Sequence, residues 1–272
     1  MGNECCAKVP KREESLSKSI LDNKYSSQRK LGDVLRYSLR KHSKDQLEQL
    51  LSIERPNMHR KLVKLYEMVL YGEPENQRRI NLSFANLGKN GAKLLSFLLY
   101  YFPEIRGLML WNSGLGDSGF KFLSFSMANA KNLETLSLES NHLSPNCCKY
   151  LNKVLFGLPN LKELWLQFNK IEDAGLEHLV EGLDSSKNLK VLALDDNCLS
   201  PQGISCVSCV LSELSQLEML SFSSNNIDDE GALEVLGLIQ GINLKKLVIG
   251  VQDYSQEVVN QYQETLTQCK LT

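Results

Sequence analysis

From Ile80 onward the chain repeats one apolar figure every 28 residues. Ile80, Leu108, Leu136, Leu164, Leu192 and Leu220 fall on one column. Leu82, Leu110, Leu138, Leu166, Leu194 and Phe222 fall on the next, two residues later. A third holds Leu87, Leu115, Leu143, Ile171, Leu199 and Ile227. The first two columns lie two apart, the period of a half-buried strand. Further along each unit a glycine column (Gly91, Gly119, Gly175, Gly203, Gly231, broken by Cys147) precedes an apolar column, Leu95 to Val235. Those spacings predict an amphipathic helix. Each unit therefore reads as strand, turn and helix, and one unit alone cannot cover its own apolar face, so units must stack.

Polar columns refine the picture. Asn141, Asn169, Asn197 and Asn225 share the turn after the strand, where an amide side chain can satisfy backbone groups. The first two units place Ala85 and Ser113 there. Helix starts alternate over two units. Asp117, Asp173 and Asp229 occupy one version and are expected to cap their own helices. Ser144-Pro145 and Ser200-Pro201 occupy the other, a serine N-cap with proline at the first helical position.

LETLSLESNHL, LKELWLQFNKI, LKVLALDDNCL and LEMLSFSSNNI resemble the leucine-rich repeat. The repeat length and the alternating helix starts resemble the ribonuclease-inhibitor-like class, which includes the Ran GTPase-activating protein and the repeat domains of NLR receptors. The resemblance covers roughly residues 76–250. It implies an α/β leucine-rich-repeat solenoid, with a curved parallel sheet on the concave face and helices on the convex face. The same resemblance implies a protein-binding role. None of the Ran activator's functional residues can be placed here, and its acidic C-terminal run is missing.

The flanks complete four segments. Residues 1–26 form a tail, and 27–75 read as a helical N-terminal cap. Six repeats fill 76–243, and 244–272 hold a degenerate last repeat and a capping helix. Within the cap, Leu31, Val34, Leu35 and Leu39 have helical spacing, as do Leu62, Leu65, Tyr66, Val69 and Leu70, with Gly72-Glu73-Pro74 as the boundary. At the other end Val258, Val259, Tyr262 and Leu266 are expected to face the stack.

Charge and chemistry narrow the function. Residues 1–72 hold 15 basic and 9 acidic side chains, and the rest hold 16 and 23. The basic part suits an anionic membrane or an acidic partner, and no basic-aromatic module there points to nucleic acid. No apolar run reaches transmembrane length and no secretory leader is legible, so the expectation is cytosolic, with eight reduced cysteines. The four histidines are scattered, and no phosphate-cradling glycine motif occurs. Cys206-x-x-Cys209 has no second pair to complete a metal site and reads as solvent-facing, while Cys148 reads as buried. The expectation is no catalytic site, no metal, no cofactor and no small-molecule substrate.

Two sets of residues remain as candidates. MGNECC exposes Gly2 to myristoylation once Met1 is removed, with Cys5 and Cys6 placed for thioacylation, although Cys6 stands where the usual motif has Ser or Thr. Two acyl chains would hold a membrane where one does so only marginally. The second set lies at outward strand and turn positions: Met109, Trp111, Glu139, Trp165, Gln167, Phe168, Asp195 and Asp196. Both tryptophans of the chain fall there, and a Trp pair beside carboxylates suits a protein or peptide that presents basic residues. The expectation is a non-enzymatic scaffold peripheral to the cytosolic face of a membrane. Two other readings stay open: a regulator of another enzyme (a GTPase activator or inhibitor), and a structural subunit of a cytoskeletal or ciliary assembly.

Overall fold

The structure is a computed structural model that describes residues 59–71, 77–239, 244–250 and 254–268. The chain divides into Met1–Glu54 and Arg55–Thr272, and every described residue lies in the second unit. The acylation residues Gly2, Cys5 and Cys6, the tail 1–26, the first helices expected before Arg60 and the Gly72–Pro74 boundary lie outside the described residues.

Alternation of buried leucine with outward residues gives seven short strands: β1 (Arg79–Asn81), β2 (Gly107–Met109), β3 (Thr135–Ser137), β4 (Glu163–Trp165), β5 (Val191–Ala193), β6 (Met219–Ser221) and β7 (Lys246–Val248). They form one parallel sheet in sequence order. Ile80 pairs with Leu108, Leu108 with Leu136, and so on to Leu220, so the pairing offset is the repeat length itself. The last step is one residue shorter, with Leu220 opposite Leu247.

The helices are α1 (Arg60–Tyr71), α2 (Gly88–Leu98), α3 (Gly116–Met127), α4 (Pro145–Phe156), α5 (Glu172–Ser185), α6 (Pro201–Leu211), α7 (Asp229–Ile239) and α8 (Gln256–Gln268). A 3-10 turn, Leu99–Tyr101, follows α2. Each helix packs on the next, which places α2–α7 together on one face of the sheet. Between the layers lie the strand leucines and the helix columns, among them Leu95, Leu123, Leu151, Leu179 and Val207, all buried. Trading this apolar surface out of water is what holds the stack together.

The asparagine column performs the accounting that the sequence suggested. Asn169 Nδ2 donates to Leu166 O (2.8 Å) and to Leu138 O of the preceding repeat (3.1 Å). Its Oδ1 accepts from Asn141 N (3.0 Å) and Leu143 N (3.1 Å), also one repeat back. Asn141 and Asn197 repeat the pattern, so each amide ties its own turn to the preceding one.

The aspartate expectation is corrected. Asp117, Asp173 and Asp229 do not cap their own helices; the N-cap positions of α3 and α5 are Leu115 and Ile171, with no side-chain cap bond, and at the start of α7 it is Asp228 whose Oδ1 accepts from Gly231 N at 2.9 Å. Asp173 instead accepts from Ser200 N (2.9 Å) and Ser200 Oγ (2.5 Å) in the following repeat. Asp117 accepts from Ser144 N (2.8 Å) and from the Ser144 hydroxyl, and Asp229 accepts from Ser255 N (3.2 Å). Ser144 and Ser200 in turn cap α4 and α6 by accepting from Asn146 N and Gln202 N, with Pro145 and Pro201 next in line. The two-unit alternation is thus a relay, in which an acid of one repeat braces the serine cap of the next.

At the C-terminal end, Val258 and Thr265 of α8 are buried, and Tyr262 Oη donates to Leu247 O of the last strand at 2.9 Å. Val259 and Leu266 are only half-buried. Thr265 takes the inward place expected of Leu266; its hydroxyl can be buried because it donates to Gln261 O at 2.8 Å.

Candidate functional site

The free face of the sheet carries the outward strand positions, and the turns that follow extend it. One turn position recurs in the left-handed region in all six repeats: Phe84, Asn112, Ser140, Phe168, Asp196 and Ser224, with φ between 46° and 61°. Such a position suits Asn or Gly, and a bulky side chain there is an outlier. Phe84 and Phe168 occupy it nonetheless, and each is 55% exposed. Trp111 is 45% exposed, and its ring lies 4.8 Å from that of Phe84 with the planes tilted by 56°.

Trp165, on β4, is half-buried, and its indole N–H donates to Glu163 Oε2 at 3.3 Å. In register it is separated from half-buried Met109 by Ser137, two strands or on the order of 10 Å away. The small outward residues Ser137, Ala193 and Ser221 are buried, two of them directly beside Trp165 in the register. Met109, Trp111 and Phe84 therefore sit at one side of the free face, while Trp165 and Phe168 both belong to the fourth unit, two repeats beyond Met109 and Trp111 and three beyond Phe84. Phe84 is absent from the sequence-based set. The signal for it was its column, where two phenylalanines interrupt residues suited to a left-handed turn.

The carboxylates are engaged more deeply than the sequence suggests. Glu139 accepts from the Ser137 hydroxyl, and its burial raises its pKa above the ordinary carboxylate value, with that bond and its own amide opposing the shift. Asp195 Oδ1 accepts from Ser223 N (2.8 Å), Ser223 Oγ (2.7 Å) and the Ser221 hydroxyl. Asp196, beside it, is exposed. Between Glu139 and Asp195 in the same column, Gln167 Oε1 is buried and has no hydrogen-bond donor among the described residues. A buried acceptor left open costs about 1–3 kcal/mol, which makes it a position where an incoming N–H is worth most.

Elsewhere the chemistry is quiet. Cys147 and Cys148 are buried, and burial pushes the Cys148 thiol up to about 12 and that of Cys147 higher still. Cys206 is half-buried rather than solvent-facing. Among the described residues no group of three or more His, Cys, Asp or Glu side chains could hold a metal ion. Among them, too, no helix is long and apolar enough to cross a membrane.

A family model for the leucine-rich repeat matches residues 157–180, 185–208 and 216–236. These segments are three successive strand-turn-helix units of the sheet just described. Residues 157–236 are leucine-rich repeats. Comparison with curated protein sequences finds no match. Among solved structures, the repeat fold is similar to that of leiomodin-1 actin-binding site 2, at TM-score 0.46 and 14% identity, covering 56% of this chain and 88% of that one. Leucine-rich repeats of this kind serve as protein-interaction domains.

Proposed function

We propose that the chain is a non-enzymatic scaffold that binds a protein or peptide on the free, concave face of its sheet. The observation that carries this reading is the placement of Phe84 and Phe168 in a left-handed turn, each 55% exposed. The fold gains nothing from either feature. A bulky side chain costs backbone energy in that region, and its ring is left in water. Two such rings, with Trp111 packed against one of them, are the anchors an interface uses. Gln167 Oε1 asks for a donor, and Asp196 offers an exposed charge, so the partner segment carries aliphatic or aromatic anchors and at least one N–H or cationic group. The chain is held at the cytosolic face of a membrane by acyl groups on Gly2 and on Cys5 or Cys6.

The decisive test is the double variant Trp111→Ala/Phe168→Ala in the native cell, with the partner identified by a photo-crosslinker at position 112. Loss of about 2 kcal/mol or more of affinity per ring is expected, with an unchanged melting temperature because both side chains are exposed. A partner retained at full strength by the double variant would place binding elsewhere. Intact mass of the N-terminal peptide reads the acylation separately, and an unmodified Gly2 would remove that part of the reading.

A further inference from the structure

The outer faces of the helices are divided by charge. α2, α3 and α4 carry five lysines, Lys89, Lys93, Lys121, Lys149 and Lys153, against Asp117 alone. α5, α6 and α7 carry no lysine or arginine and eight carboxylates, Glu177 and Glu181 among them. All five lysines are exposed. Among the described residues none of them is in an ion pair. Asp117 forms no ion pair with them; its carboxylate accepts from Ser144. Packed helices lie about 8–10 Å apart, within a Debye length, so these like charges repel one another.

Rings hold the lysines in place from helix to helix. Lys89 Nζ of α2 lies 5.8 Å from the centroid of Phe122 on α3, and Lys121 Nζ of α3 lies 5.5 Å from that of Tyr150 on α4. At the C-terminal ends of the same helices a second set of rings is exposed: Tyr100 at 40%, Phe125 at 43% and Phe156 at 46%. The surface is therefore a grid of unpaired cations bordered by a line of aromatic rings, spread across three helices or roughly 20 Å.

We infer that the outer face of α2–α4 docks on an anionic lipid leaflet. Lysines meet lipid phosphates, and exposed rings settle at headgroup level, where aromatic side chains are favoured. A single-stranded nucleic acid, which stacks its bases on ring faces, fits less well, because Lys89 and Lys121 already lie over two of the five rings, Phe122 and Tyr150. The inference rests on the membrane half of the function proposed above but not on acylation, and it leaves the opposite, sheet face free for a protein partner.

The test uses the full chain produced without acyl groups, sedimented with phosphatidylcholine vesicles that do or do not contain phosphatidylserine. Binding is expected only with phosphatidylserine and should weaken as salt rises. Lys121→Glu/Lys149→Glu should weaken it at least roughly twenty-five-fold, from a contribution of about fivefold per lysine. Phe125→Ser/Phe156→Ser should lower the binding that survives added salt. Charge reversal on the acidic side, Glu177→Lys/Glu181→Lys, should not weaken it. Vesicle binding undiminished by Lys121→Glu/Lys149→Glu would overturn the inference and assign the attraction to the basic residues before Arg60. Binding to a single-stranded oligonucleotide but not to vesicles would overturn it in favour of nucleic acid. Failure here with an acylated Gly2 in the native protein, or the reverse, separates the two membrane claims.

Discussion

Glu139 shows how a repeat position can be put to local use at some cost to stability. Its carboxyl is half-buried on the free face, and burial favours the neutral form. The folded chain therefore holds this proton more tightly than the unfolded chain, whose carboxyl titrates near pH 4. The stability this group contributes is present below that pH and is lost as pH rises through the raised folded value. At neutral pH the charged side chain is a liability, which Glu139→Gln removes while keeping an acceptor for the Ser137 hydroxyl. The variant should melt higher than the wild type at pH 7 and at the same temperature at pH 4. Equal shifts at both pH values would mean that charge is not the cause. Gln167, next in the column, shows the opposite bias, an acceptor waiting for a donor. Neither state was legible in the sequence, which shows which residues share a column but not which hydroxyls they turn toward. For the same reason the sequence offers Asp195 as a free charge, although Ser221 and Ser223 occupy it.

Within an element, the periodic part of the chain was readable and the part that crosses between repeats was not. The strand leucines, the asparagine turn and the serine-proline helix starts each follow from spacing along one unit. The aspartates did not, because Asp173 lies 27 residues before Ser200 and no local rule links them. A local rule makes Asp173 a cap of α5, but in the structure it braces the cap of α6. Asp173→Ala should therefore loosen α6 rather than α5 and lower stability by about 1–2 kcal/mol, the value of a lost cap. Hydrogen exchange would show the effect in the first turn of α6. Faster exchange confined to the first turn of α5 would contradict the relay. Phe84 escaped for a related reason, since its position is defined only once the turn is known to be left-handed.

Across the whole stack, stability is a sum over units and the joints between them. The apolar joints and the asparagine ties recur at every step from Ser113 to Asn225, so on their account any unit could follow any other. The acid-serine relay recurs only at every second step, from Asp117 to Ser144, from Asp173 to Ser200 and from Asp229 to Ser255. Removing the unit 144–171 would bring Glu172 to the place of Ser144, setting a second carboxylate where Asp117 now accepts from a serine hydroxyl. Removing the pair 144–199 would bring Asp117 to Ser200 and restore the bond. The paired deletion should accordingly unfold at higher denaturant than the single one, although it discards twice as much chain. The molecule thus has parity. Adding or removing units in even numbers keeps every acid-serine bond in register, and an odd number breaks one.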